Sequence, residues 1–236
     1  MTVAAPWHAL ELAEVLARLK TDPASGLAPD EAQRRLQAVG PNRVADHRER
    51  PLWRLALDQF RSLVVLLLLA AGGVAWGLGE RLEGLAIFAA LILNALIGFG
   101  FEWRARVSLA RLRALAVPHA LVHRGGQTML VAASRLVPGD VVLLEAGAVV
   151  PADARLVRSA AMRVNESTLT GESDAVEKDK ETRPIAEAAL ADRRNMVYLG
   201  TTVLAGSGRA VVTATGAATE LGRIGQLIIG VGPRTT

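Results

Sequence analysis

The residues best suited to chemistry lie in Val164–Lys178, VNESTLTGESDAVEK, and centre on Thr170, Gly171, Glu172 and Ser173. Small hydroxyl residues and one glycine surround a carboxylate on what reads as a tight, exposed turn. Glycine reaches backbone angles that other residues avoid, so the tip of such a turn can enter another surface. A carboxylate offered there can orient a water molecule or take its proton. The same four residues also describe a solvated turn, and matches this short arise by chance. The rest of the chain must decide between the two.

The bulk composition points to a membrane. Hydrophobic residues make up 51% of 236, aromatics only 4%, and the mean hydropathy is +0.29. Net charge is +4, and only three of the 27 basic residues are lysine. A nucleic-acid binder needs a basic stripe with aromatic or helical readers. Here the arginines flank apolar runs instead, so no nucleic-acid partner is expected. Cysteine is absent, which excludes disulfides and thiolate metal sites. The first residues, MTVAAPWHALELAEV, have neither the basic start nor the apolar core of a cleavable signal.

Two runs without charge, Ser62–Gly79 and Gly84–Phe101, are 18 residues each. As straight helices each covers about 27 Å, close to the roughly 30 Å hydrocarbon core. Only Glu80-Arg81-Leu82-Glu83 separates them, which predicts an antiparallel hairpin across the bilayer. Arg43, Arg48, Arg50, Arg54 and Arg61 precede the first run; Arg104, Arg106, Arg111, Arg113 and Arg124 follow the second. Positive charge favours the cytoplasmic side, so both chain ends are expected there. Asn94, the only amide inside either run, reads as an interhelical hydrogen-bonding group, and Ala70–Gly73 as a close helix contact. Neither run offers the several oxygen ligands a cation site needs, so no metal site is expected. The helical pattern continues from Glu102 to about Ala116, a stalk on the cytoplasmic side.

Ahead of the hairpin, Leu12, Val15, Leu16 and Leu19 recur at helical spacing, and a second helix is predicted over Pro29–Val39 with Ala32, Leu36 and Val39 as its apolar stripe. Behind it the period changes. HALVHR and QTMLVA flank Gly125-Gly126 as a hairpin. Further strands are predicted at Val141–Leu144, Arg155–Val157, Met196–Leu199, Thr202–Leu204 and Arg209–Ala214, with a polar, mobile segment between the Thr170–Ser173 turn and about Arg194. A helix over Thr219–Ile229 closes the series. The fold class is therefore an α+β membrane protein: N-terminal helices, a two-helix transmembrane hairpin with a stalk, and an all-β sandwich or distorted jelly roll.

Taken in order, LVPGDVVLLEAG, VPADARL, NESTLTGES and NMVYLGTTVLAGSGRAVVTATGAATELGRI resemble the actuator domain of P-type cation-transporting ATPases. SGLAPDEAQRRLQAVGPN resembles the N-terminal helical region of the calcium-pump-like and sodium-pump-like branch, with Ala28 where a capping serine is common and a frayed start implied. LWRLALDQFRSLVVLLLLAA and NALIGFGFEWRARVSLARLRAL resemble the first two membrane helices and stalk. The resemblance divides the chain into 1–45, helical region; 46–117, hairpin and stalk; 118–232, actuator; and 233–236, tail. Departures are Asn165 where aspartate is common, Ala148 after Gly147, Ala175 where proline is common, and Arg61-Ser62 where calcium pumps often carry an acidic pair.

The resemblance implies that Glu172 orients and deprotonates the water that hydrolyses an aspartyl-phosphate, with Thr170, Gly171 and Ser173 shaping the loop. It also implies ATP and Mg2+ for the intact pump, an inorganic cation as cargo, the lipid bilayer as partner, and a multi-pass place in the cell membrane. Heavy alanine and arginine usage points to a GC-rich bacterial source. No DKTGT phosphorylation motif, nucleotide-binding domain or Walker loop occurs in these residues; Asp179-Lys180-Glu181-Thr182 is only a partial likeness in a polar loop. The expected reading is the N-terminal part of a cation pump. The alternatives are a membrane-anchored β module that regulates a pump without catalysis, and an interaction domain in which Thr170–Ser173 is only a turn.

Overall fold

The computed structural model describes residues 6–44, 63–115, 118–172 and 174–230. Ser173, residues 45–62 with four of the flanking arginines, residues 116–117 and the tail 233–236 lie outside the described residues. The chain divides into two compact units, Met1–Asp46 with Pro118–Thr236, and His47–Val117.

The second unit is a helical hairpin, α3 (Leu63–Gly77) and α4 (Arg81–Leu115). The break falls at Leu78-Gly79-Glu80, earlier than the charge pattern alone implies. Gly79 turns the chain at φ 92, and the Gly84 amide already bonds the Glu80 carbonyl, so Arg81, Leu82 and Glu83 belong to the first turn of α4. Within Arg81–Ser108 an 18-residue window has a mean hydropathy of 2.2 and is only 11% buried, long and apolar enough to cross a membrane; α3 is a shorter apolar helix. Val64, Leu67, Leu93 and Leu96 are all at least 60% exposed, so the hairpin has no polar face to offer water. Gly72 lets the helices approach: a Cβ there would touch Ile87 and Phe88 at 3.2–3.3 Å, whereas Gly73 faces nothing within 4 Å. Asn94 is exposed and makes no hydrogen bond among the described residues.

The first unit is built on seven antiparallel strands: β1 (His119–Arg124), β2 (Gln127–Ala132), β3 (Val141–Glu145), β4 (Asp153–Asn165), β5 (Ala175–Glu177), β6 (Met196–Val197) and β7 (Thr202–Ala214). Their order is β2-β1-β3-β7-β4-β5, with β6 paired to β4. The described pairings form one β-sheet. Val122, Leu136, Leu144, Leu156, Met162 and Val203 are fully or almost fully buried in its core, each aliphatic side chain contributing roughly 1.5–3 kcal/mol.

β4 and β7 are 13 residues each, longer than the short strands expected. Gly206-Ser207-Gly208 looks like a turn but continues β7, with Gly206 opposite a bulge at Ala161-Met162 of β4. At Gly206, φ is 72 and a Cβ would overlap the Ala160 and Ala161 carbonyl oxygens, while the β4–β7 register shifts at Ala160/Arg163. Glycine here permits a close backbone approach instead of a reversal.

The N-terminal helices α1 (Leu12–Leu19) and α2 (Pro29–Val39) pack onto this sheet. Val15 and Leu19 cluster with Val211, and Leu27 and Ala32 with Val137. Val39 is 57% exposed and does not complete the stripe of α2, because that helix is held through Ala32 and Leu36 one turn earlier. Ala28 is the N-cap and makes no side-chain bond; Pro29 at the first helical position and Asp30 and Glu31 in the first turn favour the start instead. Asn42 ties three segments together: its amide donates to the Ala133 and Pro151 carbonyls at 3.0 and 2.8 Å, and its carbonyl accepts the Gly216 amide at 2.8 Å. The last helix, α5 (Glu220–Gly230), is described with the site below.

Candidate functional site

β5 pairs with β4 through Arg163↔Glu177, Val164↔Val176 and Asn165↔Ala175, so Glu166–Asp174 forms the connection between two neighbouring strands. The loop begins with a single helical turn, Ser167–Thr170. The Asn165 side-chain oxygen accepts the Ser167 amide at 2.9 Å. The Glu166 carbonyl accepts the Leu169 and Thr170 amides at 2.9 and 3.0 Å and the Thr170 hydroxyl at 3.1 Å. Gly171 ends the turn in the left-handed region, φ 79, where a side chain would be strained.

Thr170 Oγ1 also accepts the Glu172 amide at 3.2 Å. The tip backbone is therefore held while the Glu172 carboxylate is exposed and has no partner among the described residues. Thr170, Gly171 and Glu172 are thus brought together, and Ser173 is outside the described residues. The arrangement can present an acceptor to a water molecule on an incoming surface.

Below the tip lies a pair that the sequence reading did not single out for a role. Lys178 Nζ is 2.6 Å from Glu166 Oε1, and both side chains are 0% exposed. The ammonium also lies 5.8 Å from the Tyr198 ring centroid, within cation–π range. Burial pushes Glu166 up and Lys178 down, and their mutual attraction opposes both shifts. Strand parity could have revealed Glu166: Met162, Val164 and Glu166 alternate onto the buried face.

A second polar group sits in the same unit. A cavity of about 290 Å³ is lined by Trp7, His8, Asp153, Arg193, Tyr198 and Glu220, among others. Asp153 accepts the Leu199 amide at 2.9 Å and the Glu220 amide at 2.7 Å, the latter at the start of the helix Glu220–Gly230. Burial pushes Asp153 up to about 6 against those two hydrogen bonds. Thr219 caps the same helix by accepting the Gly222 amide at 3.0 Å. Among the described residues no group of three or more His, Asp or Glu side chains converges as a metal site.

The segment after the loop is anchored rather than loose. Buried Arg155 donates to the Asn195 and Lys180 carbonyls at 3.1 and 3.3 Å, and Asn195 donates to the Thr182 and His8 carbonyls at 2.7 and 2.8 Å. Asp179 only organises a local turn, accepting the Glu181 amide and the Thr182 hydroxyl.

Residues 114–229 match the P-type ATPase actuator domain, and residues 7–75 match the cation transporter/ATPase N-terminus. A probable cation-transporting ATPase F of Mycobacterium tuberculosis is 44% identical over 221 residues, covering 94% of this chain and 24% of that protein. A calcium-transporting ATPase of Listeria monocytogenes is 42% identical over 86% of the chain and 23% of its own length. One from Bacillus subtilis is 34% identical over 98% of the chain and 26% of its own length. The chain thus spans about a quarter of the relatives it matches.

Proposed function

The chain belongs to the P-type cation-transporting ATPases, as their N-terminal and actuator portion, and on that premise we propose that Glu172 brings water to a pump's aspartyl-phosphate. The observation that supports this role is the geometry of the tip. Its backbone is fixed by Thr170, and its carboxylate is exposed and unpaired among the described residues. In the proposed step Glu172 orients the water and accepts its proton as the oxygen attacks phosphorus. The bond from phosphorus to the aspartyl oxygen breaks, and inorganic phosphate leaves. Thr170 and Gly171 set the position of the base, and Ser173 completes the loop.

These residues hold no nucleotide-binding or phosphorylation motif, so ATP, Mg2+ and the aspartate belong to the rest of the pump. The bulged β4–β7 pair is read as the bend of a distorted jelly roll. The hairpin anchors the protein in the cell membrane with both flanks cytoplasmic, in keeping with the arginine distribution. The cargo is an inorganic cation, in keeping with the relatives' printed activities.

The test is a chimaera in which these 236 residues replace the matching quarter of the mycobacterial relative. Labelled ATP should give an acid-stable phosphoenzyme in both the parent and the Glu172→Gln protein. In the latter its decay should slow by about 10²–10⁴-fold, the usual contribution of one acid–base group. Equal decay rates would reject the role and leave a solvated turn.

A further inference from the structure

We propose that the buried Glu166–Lys178 pair is a positioning device for Glu172, fixing the register of β5 and with it the place of the loop tip. This inference rests on the reading of Glu172 as the water-activating base. Glu166 enters the loop and Lys178 follows the far end of β5, so one 2.6 Å contact ties the loop's entry to the strand that leaves it. From the Glu166 main chain only Thr170 intervenes before the Glu172 amide: Thr170 Oγ1 donates to the Glu166 carbonyl and accepts from Glu172. On the other side the Lys178 amide donates to the Met162 carbonyl at 2.8 Å, and its ammonium packs on Tyr198.

The pair answers a specific weakness. β5 has three residues, lies at the end of the strand order, and presents only half-buried Ala175 and Val176 to the sheet. Apolar contact alone specifies such a strand poorly, and a slip of one residue reverses which side chains face the core. A buried ion pair adds little net stability over a packed apolar pair, but a slip that parts it strands two buried charges. A slip would also lengthen or shorten the loop and move Glu172. Displacing a reacting group by about 1 Å can cost about 10²-fold in rate.

The chimaeric pump carrying Glu166→Gln with Lys178→Met tests this, because it removes both charges and leaves neither one buried alone. Phosphorylation from ATP and the slow amide hydrogen exchange of β4 and β7 should stay native. Exchange across residues 166–172 should rise at least tenfold, and phosphoenzyme decay should slow by about 10²-fold. Glu166→Asp keeps the charge but withdraws the carboxylate by one methylene, and should slow decay to a lesser degree. Native exchange and native decay in the double variant would overturn the proposal and leave the pair a packing element. Should the double variant fail to fold, Glu166→Asp decides, native decay again overturning it. Glu172→Gln is run alongside: native decay there overturns both readings. Slow decay there with native decay in the pair variants overturns only this one.

Discussion

Glu172 and Glu166 belong to one loop and live under opposite conditions. Glu172 stands exposed at the tip with only its backbone held; Glu166 is sealed at the root against Lys178. The tip carboxylate is open to water. At the root, burial pushes Glu166 toward the protonated form, and Lys178 opposes that shift. Fixing a loop and leaving its reactive group free are therefore assigned to different residues. The root bears the desolvation, and the tip remains available to an external surface.

The sharpest way to break this contrast is to remove the partner at the root. Lys178→Met leaves the Glu166 carboxylate buried without a counter-ion and should cost about 3–5 kcal/mol, read as a lower urea midpoint with unchanged slope. A loss below about 1 kcal/mol would mean that water reaches the root and that the two carboxylates do not differ as described.

Asp153 sharpens the comparison, being buried against two backbone amides rather than a cation. Its native value of about 6 lies above the ordinary 3.8, so the folded state binds the proton more tightly than the unfolded one. The resulting stabilisation is fully present below about 3.8 and is lost as pH rises through about 6. A shift of that size corresponds to about 3 kcal/mol. Unfolding free energies measured from pH 4 to 7 should fall across that window in the parent, and Asp153→Asn should remove that component. A parallel pH dependence in both proteins would refute it.

The smallest effect belongs to the tip. Glu172→Gln should change stability by no more than about 0.5 kcal/mol, a difference near the resolution of urea unfolding. A larger loss would mean that the tip carries structural weight and that the division between tip and root fails.

Local patterns in the chain made much of this readable. Six alternating residues on each side of Gly125-Gly126 foretell β1 and β2 because their pairing is local, Arg124 opposite Gln127. Thr170–Glu172 stood out by residue type, and the structure gathers them on one turn. The lengths of β4 and β7 were not readable, since Gly206 signals a turn and a close approach to a bulged neighbour by the same lack of a side chain. Arg155 illustrates a further limit. An arginine in VPADARL looks solvated, yet it is 2% exposed because it binds carbonyls from a segment far along the chain. Glu166 was hidden for a similar reason: its partner, Lys178, lies 12 residues further along the chain.

The side-chain bond from Asn195 to the His8 carbonyl spans 187 residues, and the bond from Gly216 to Asn42 spans 174. On a ribosome adding about 5–20 residues per second, α1 waits roughly 10–40 s for Val211 and α2 about half as long for Val137. The apolar hairpin emerges during that interval and can enter the bilayer first. Biogenesis of this unit is thus bracketed by an insertion event, and α1 and α2 pass that time as an unfinished surface within reach of chaperones.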